Sequence, residues 1–171
     1  MITGLVLMNS TLGKQVLRYV IRPTLAEIGL AKPFSDALVH GTFMAESGYL
    51  FLSQMGDPAN GGLGFGQDEP SDYIDARVWL TNGINAGLYQ RILKSCQLTE
   101  LPKDPTILKW HLKLMVCMTR VHYLRVREPI PETAEGLSNY HKVHYNGPGK
   151  ADPQANIAIF AQAIKDCQDG G

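Results

Sequence analysis

The sequence predicts a mainly α-helical single domain spanning residues 1–171, with one Gly-rich loop that could contain a short β-hairpin beside a cleft. Apolar residues recur at helical spacing through most of the chain. Pro and Gly fall between those stretches as punctuation. No series of alternating strands supports a parallel sheet.

The first helix is expected over Lys14 to Ile28, kinked or split at Pro23. The second covers about Ser35 to Ser47, where Leu38, Gly41/Thr42 and Ala45 share a face and Gly48 stands where a left-handed C-cap is wanted. A third begins near Ser71 and runs through Trp79, and Asn82-Gly83 interrupts it before a helix from Asn85 to Lys94. Asp104 as N-cap and Pro105 in the first turn then predict a long helix to about Arg127, stopped by Glu128-Pro129. Leu108, Leu112, Met115, Thr119 and His122 form one stripe of it, while Ile107, Leu114, Val121 and Leu124 cover further faces. A helix apolar on most sides is a central one. A shorter helix follows from Glu132 to about Lys142, and the last opens at Asp152-Pro153 and buries Ile157, Phe160, Ala161 and Ile164.

Composition bounds the function. Hydrophobic residues make up 44% and charged residues 19%, enough for a real core and far from a disordered or fibrous chain. Sixteen basic residues balance sixteen acidic ones, so there is no global field to recruit nucleic acid. Cys96, Cys117 and Cys167 are an odd count without a CxxC pair, which argues against a disulfide framework or zinc ribbon. Met1 to Met8 lacks the basic flank of a signal peptide, and no apolar run is long enough to span a membrane. No cofactor motif is present. His141 and His144 could face one cation if helical, but no HExxH or neighbouring Cys completes a metal site.

Two features carry possible chemistry. Glu46 ends an apolar helix. The negative end of the helix dipole and the apolar neighbours Phe43, Met44 and Tyr49 disfavour a bare carboxylate there, which suits a proton donor. The run Gly61-Gly62-Leu63-Gly64-Phe65-Gly66-Gln67 has more glycine than a plain connection needs. It lacks the Lys-Ser/Thr of a phosphate loop and the preceding strand of a dinucleotide site. A backbone edge approaching sugar amides and hydroxyls fits it better.

Glu46-Ser47-Gly48, the Gly-rich run ending in Gln67, and Tyr145-Asn146-Gly147 occur in that order. Together they resemble the lysozyme-like superfamily of soluble lytic transglycosylases and goose-type lysozymes. The stretches Gly64 to Pro70 and Cys117 to Pro131, followed by the Tyr-rich segment Tyr140 to Asn146, resemble its phage-encoded members. The resemblance spans roughly Phe34 to Lys150. It implies a lysozyme-like helical fold and cleavage of the β-1,4 bond between N-acetylmuramic acid and N-acetylglucosamine in peptidoglycan, without a cofactor. By the same resemblance Glu46 is the general acid, and Ser47, Gly64, Gln67, Tyr145 and Asn146 position substrate. It further implies a virion or lysis role, with synthesis in the host cytoplasm, action in the cell wall and other virion proteins as partners. The alternative of another class is a virion structural protein that binds glycan strands without cutting them.

An inverting hydrolase needs a second carboxylate roughly 6.5–9.5 Å from the acid to activate water. A lytic transglycosylase closes the muramic C6 hydroxyl onto C1 with one carboxyl alone. Asp57 and Glu69 resemble acidic residues of goose-type lysozymes and could serve as the base; equally, Asp57 could cap the Asp-Pro turn and Glu69 the following helix. The chain departs from the family at Phe65 and Gly66 before Gln67, at Asp68 where relatives often carry an apolar residue, and at His144 in place of Ala. Arg120, Arg125 and Arg127 could meet peptide carboxylates of the wall or be solvated charges on a helix end.

Overall fold

Pro23 sets the shape of the first helical segment. It has no N–H, and its ring would collide with the carbonyl four residues earlier in a regular helix. The chain answers by widening: α1 (Thr11–Val16) passes into a π turn (Leu17–Ile21), where the Arg22 N–H reaches back to the Leu17 carbonyl, and α2 (Arg22–Glu27) continues with Pro23 in its first turn. The coordinates are a computed structural model that describes residues 11–56, 61–147, 149 and 151–169.

α3 (Ser35–Glu46) is buried from Ala37 to Met44 and ends as the sequence predicts, with Gly48 left-handed at φ +57°. α4 (Pro70–Thr81) starts one residue earlier than expected, with Pro70 in its first turn. A short 3₁₀ turn (Gly83–Asn85) leads into α5 (Ala86–Cys96).

The long helix expected from Asp104 to Arg127 is two pieces. Asp104 does cap, accepting from the Thr106 N–H at 2.9 Å, but it opens a 3₁₀ helix (Pro105–Lys109). The chain breaks at Trp110. His111 Nδ1 then accepts from the Leu114 N–H at 3.2 Å and starts α6 (Leu112–Leu124). α6 is the central helix, buried without interruption from Leu114 to Val121.

α7 (Ala134–His141) is capped by Thr133 and runs directly into a second π turn (Lys142–Asn146); α8 (Pro153–Asp169) follows. The larger core packs α2, α4 and α5 around α6. A second cluster sets Tyr123 of α6 against Leu137 and Tyr140 of α7, Phe160 of α8, and Ala37 and Leu38 of α3. Cys96 and Cys117 touch at 3.9 Å in the core, and all three cysteines are free thiols. No helix among the described residues is long and apolar enough to cross a membrane.

The expected Gly-rich loop or short β-hairpin is not there. Among the described residues no β-strand forms, and Ser53, Leu63 and Asp68 make only isolated bridges. Leu63 and Asp68 exchange both backbone hydrogen bonds, at 2.9 and 3.0 Å, which closes the chain after five residues. Left-handed φ at Gly64 (+69°) and Gln67 (+51°) turns it away from an extended path. Residues 61–68 are therefore a series of turns packed into the body, buried from Gly61 to Gly66.

Candidate functional site

Glu46 at the end of α3, the turns around Gln67, the start of α4 and the π turn after α7 surround a cleft of about 760 Å³. Its lining is polar: Glu46, Gln54, Gln67, Asp68, Glu69, Asp72, His122, Tyr145, Asn146 and Gly149.

The π turn arms Glu46. His141 Nε2 donates to Glu46 Oε1 at 2.8 Å, and Asn146 Nδ2 donates to the same oxygen at 3.2 Å. Residues five apart stand roughly 140° apart on a regular α-helix. The wider π turn, with its i→i+5 bonding, brings them back to one side. Asn146 is held in turn, its Oδ1 accepting from the Ala151 N–H at 3.2 Å and from Lys142 Nζ at 3.4 Å. The His141 ring is fully buried, and its Nδ1 has no partner. A hydrogen on Nδ1 would be a buried, unpaired N–H, so Nε2 is the ring nitrogen that carries the hydrogen toward Glu46.

Both donors therefore serve one oxygen, and Glu46 Oε2 takes no hydrogen bond among the described residues. The side chain is 18% exposed and lines the cleft, so Oε2 is the oxygen left open there. The contacts at Oε1 persist in either protonation state, because a carboxylate oxygen and an acid carbonyl both accept.

Asp68 is the second carboxyl of the site, and it is buried. Tyr145 Oη lies 2.9 Å from Asp68 Oδ1 and 2.9 Å from the Gly66 carbonyl, and Thr119 Oγ1 donates to Asp68 Oδ2 at 3.1 Å. The two hydroxyls only partly offset burial, and the negative charges of Asp72 and Glu46 add to it, so the carboxyl is pushed up to about 7. The Tyr145 hydroxyl donates to Asp68 when that carboxyl is ionised; when Asp68 is protonated it can donate to Tyr145 Oη instead, freeing the Tyr145 hydrogen for the Gly66 carbonyl, while Thr119 donates to Asp68 in both states. Burial and the neighbouring Asp68 hold the Tyr145 hydroxyl well above the ordinary phenol range, so it stays a donor.

Gly66 is what lets this group assemble. A Cβ there would lie 2.6 Å from Thr119 Oγ1 and 2.8 Å from Tyr145 Oη. The sequence reading gave these glycines to a ligand; the structure gives Gly66 to α6 and Tyr145. An aromatic row fixes the other side of Tyr145, which stacks on Tyr123 (5.2 Å) and on His141 (5.7 Å). His122 donates from Nε2 to the His144 carbonyl at 2.8 Å, and burial lowers its pKa, keeping it neutral.

Of the residues singled out in the sequence, Glu46, Gln67, Glu69, Tyr145 and Asn146 meet at the cleft. Glu69 is exposed and stands at the N-cap of α4, but its side chain makes no capping bond, so the carboxylate is free to face the cleft. Gln67 donates from Nε2 to the Gly64 carbonyl at 2.7 Å. Ser47 and Gly64 do not line the cleft. The Ser47 hydroxyl donates to the Phe43 carbonyl at 3.1 Å and accepts from the Tyr49 N–H at 3.2 Å, which finishes the end of α3. Gly64 is packed against the Leu108 carbonyl and Met115. Asp57 lies outside the described residues.

Asp68 and His141 are site residues that the sequence reading did not select. Asp68 left a signal, an acidic side chain directly after Gln67 at the end of the Gly-rich run. His141 left one only if a π turn is assumed before Asn146. Among the described residues no three His, Cys, Asp or Glu side chains converge as metal ligands. No family profile, curated protein or solved structure matches the chain.

Proposed function

We propose that this chain is a peptidoglycan-cleaving muramidase acting on the β-1,4 bond between N-acetylmuramic acid and N-acetylglucosamine, with Glu46 as the general acid. The observation that carries this reading is the asymmetry of the Glu46 carboxyl: two donors fix Oε1, and Oε2 is left free at a polar cleft. A cleft of about 760 Å³ lined by amides, hydroxyls and carboxyls has room for sugar rings.

In this mechanism Oε2 delivers its proton to the bridging glycosidic oxygen as the bond to C1 breaks. His141 and Asn146 stabilise the resulting carboxylate without moving. Glu46 then takes a proton from the nucleophile. If that is water, the product has a reducing end, and Glu69, one of the carboxylates that line the cleft, is free to assist. If it is the muramic C6 hydroxyl, the product is a 1,6-anhydro sugar and Glu46 suffices. Asp68 has both oxygens engaged by Tyr145 and Thr119, so it organises Tyr145 and does not act as the base. The resemblance to phage-encoded relatives supports action on the bacterial wall during virion entry or at lysis.

Glu46→Gln is expected to reduce clearing of purified peptidoglycan by at least about a hundredfold, with a thermal melt like that of the parent protein. Undiminished clearing by the variant would reject the assignment and favour a glycan-binding virion protein. Mass spectrometry of the fragments distinguishes the two routes by their reducing or anhydro ends.

A further inference from the structure

Arg120 follows Thr119 on α6 but belongs to a different site. It lines a second pocket, of about 360 Å³, formed by the end of α6, the segment after it, α7 and Lys32-Pro33; this pocket shares no lining residue with the cleft. Arg120 is only 5% exposed, yet its Nε has no hydrogen-bond partner, and among the described residues no carboxylate pairs with it.

A guanidinium stays protonated inside a protein, and removing it from water without a counter-ion costs several kcal/mol. The usual way to meet that cost is an internal acid or a ligand. Neighbours on α6 are buried on both sides of Arg120, from Leu114 to Val121, so the helix cannot roll to carry it into solvent.

The rest of the pocket selects the ligand. Its walls include Leu124, Val126 and Ile130, together with Tyr123 and Tyr140. Glu128 and Glu132 line it as exposed residues against the single exposed Lys32. An apolar wall beside two acidic residues disfavours a small, strongly hydrated or multiply charged anion. A planar carboxylate matches the two-pronged face of the guanidinium.

We propose that the Arg120 pocket is a binding site for a monocarboxylate with an apolar body, such as the carboxyl end of a peptide, seated with its carboxylate on Arg120. The proposal is independent of the muramidase reading, and binding to it is measured without cleavage.

The test is a titration of ¹⁵N-labelled protein followed at the Arg120 Nε–H signal, identified by its loss in Arg120→Met. The probes are N-acetyl-leucine, its uncharged amide and inorganic phosphate. N-acetyl-leucine is expected to move the Nε–H and the Tyr123 and Leu124 amide signals saturably. The amide and phosphate should bind at least about tenfold more weakly, a difference of about 1.4 kcal/mol. Arg120→Met, where it folds, should lose the Tyr123 and Leu124 response. No saturable shift with N-acetyl-leucine would overturn the proposal. So would equal binding of the amide, which means a merely apolar pocket, or of phosphate, which means an unselective anion site. The comparison of acid with amide uses the unaltered protein and does not depend on the variant folding.

Discussion

Asp68 and Asp166 are buried almost equally, at 4% and 5% exposed, yet their carboxyls are driven in opposite directions. For Asp68 burial dominates: its partners are two neutral hydroxyls, its nearest charges are negative, and the group is pushed up to about 7. For Asp166 burial also pushes upward, but His40 Nε2 at 3.3 Å, Gln162 Nε2 at 2.8 Å and Lys14 Nζ at 3.4 Å outweigh it and hold the carboxyl below its ordinary range. The depth of burial does not fix the protonation state; the partners do. Asp166 ties α8 to α1 and, through His40 and the Tyr49 hydroxyl 2.6 Å from His40 Nδ1, to the chain just after Glu46. It is framework. Asp68 sits in the cleft and is balanced between two states near neutrality.

The harshest way to break this contrast is Asp166→Ala. It strands His40 and Lys14 and leaves the α1–α3–α8 junction without its acceptor. We expect a loss of about 3–5 kcal/mol at pH 7, read by urea denaturation. Because the folded carboxyl is held below its unfolded value, its contribution is present above about pH 4 and disappears as pH falls through the folded value. The penalty should therefore shrink in acid. A penalty that does not change down to pH 3 would show that the residue acts by packing alone.

Asp68→Asn tests the opposite sign. Between about pH 4 and pH 7 the folded protein keeps a proton that the unfolded chain has released, so this group makes stability fall as pH rises through that window, by roughly 4 kcal/mol at most. Asn mimics the protonated acid: its amide can donate to Tyr145 and its oxygen can accept from Thr119. The variant should match the parent near pH 4 and exceed it by up to about 4 kcal/mol at pH 8. An unchanged fall in stability across the window would remove Asp68 as its source.

The contrast also marks how far the sequence could be read. α3, its Gly48 terminus and the start of α8 at Pro153 follow from caps and punctuation, and the resemblance singled out Glu46, Gln67, Glu69, Tyr145 and Asn146, which the fold brings to one cleft. What failed was decided by distant partners. The split before α6 depends on a histidine side chain taking a cap position, which an unbroken apolar pattern conceals. The glycines near Gln67 look ligand-facing until Thr119 and Tyr145, 53 and 79 residues from Gly66, are seen against it. Asp68 and Asp166 are ordinary acids in the sequence, because hydroxyl partners in one case and His40 in the other appear only on folding.

Thr119→Val makes the smallest change to the comparison and sharpens it most. Valine keeps the shape of threonine and removes the O–H that Asp68 Oδ2 accepts at 3.1 Å. Against neutral Asp68 the lost bond is an ordinary one, so stability near pH 5 should fall by about 1 kcal/mol. Against the ionised form the same donor matters more, since hydrogen bonds to charged groups contribute roughly twice as much. The loss should therefore grow with pH, and the Asp68 transition should move above about 7, the direction expected when a bond that favours the charged form is removed. Measuring ¹³C carboxyl shifts of Asp68 against pH alongside urea denaturation reads both effects. A loss that is uniform with pH, with the transition unmoved, would mean that Thr119 only fills space, and that burial and the tyrosine alone set the state of the acid.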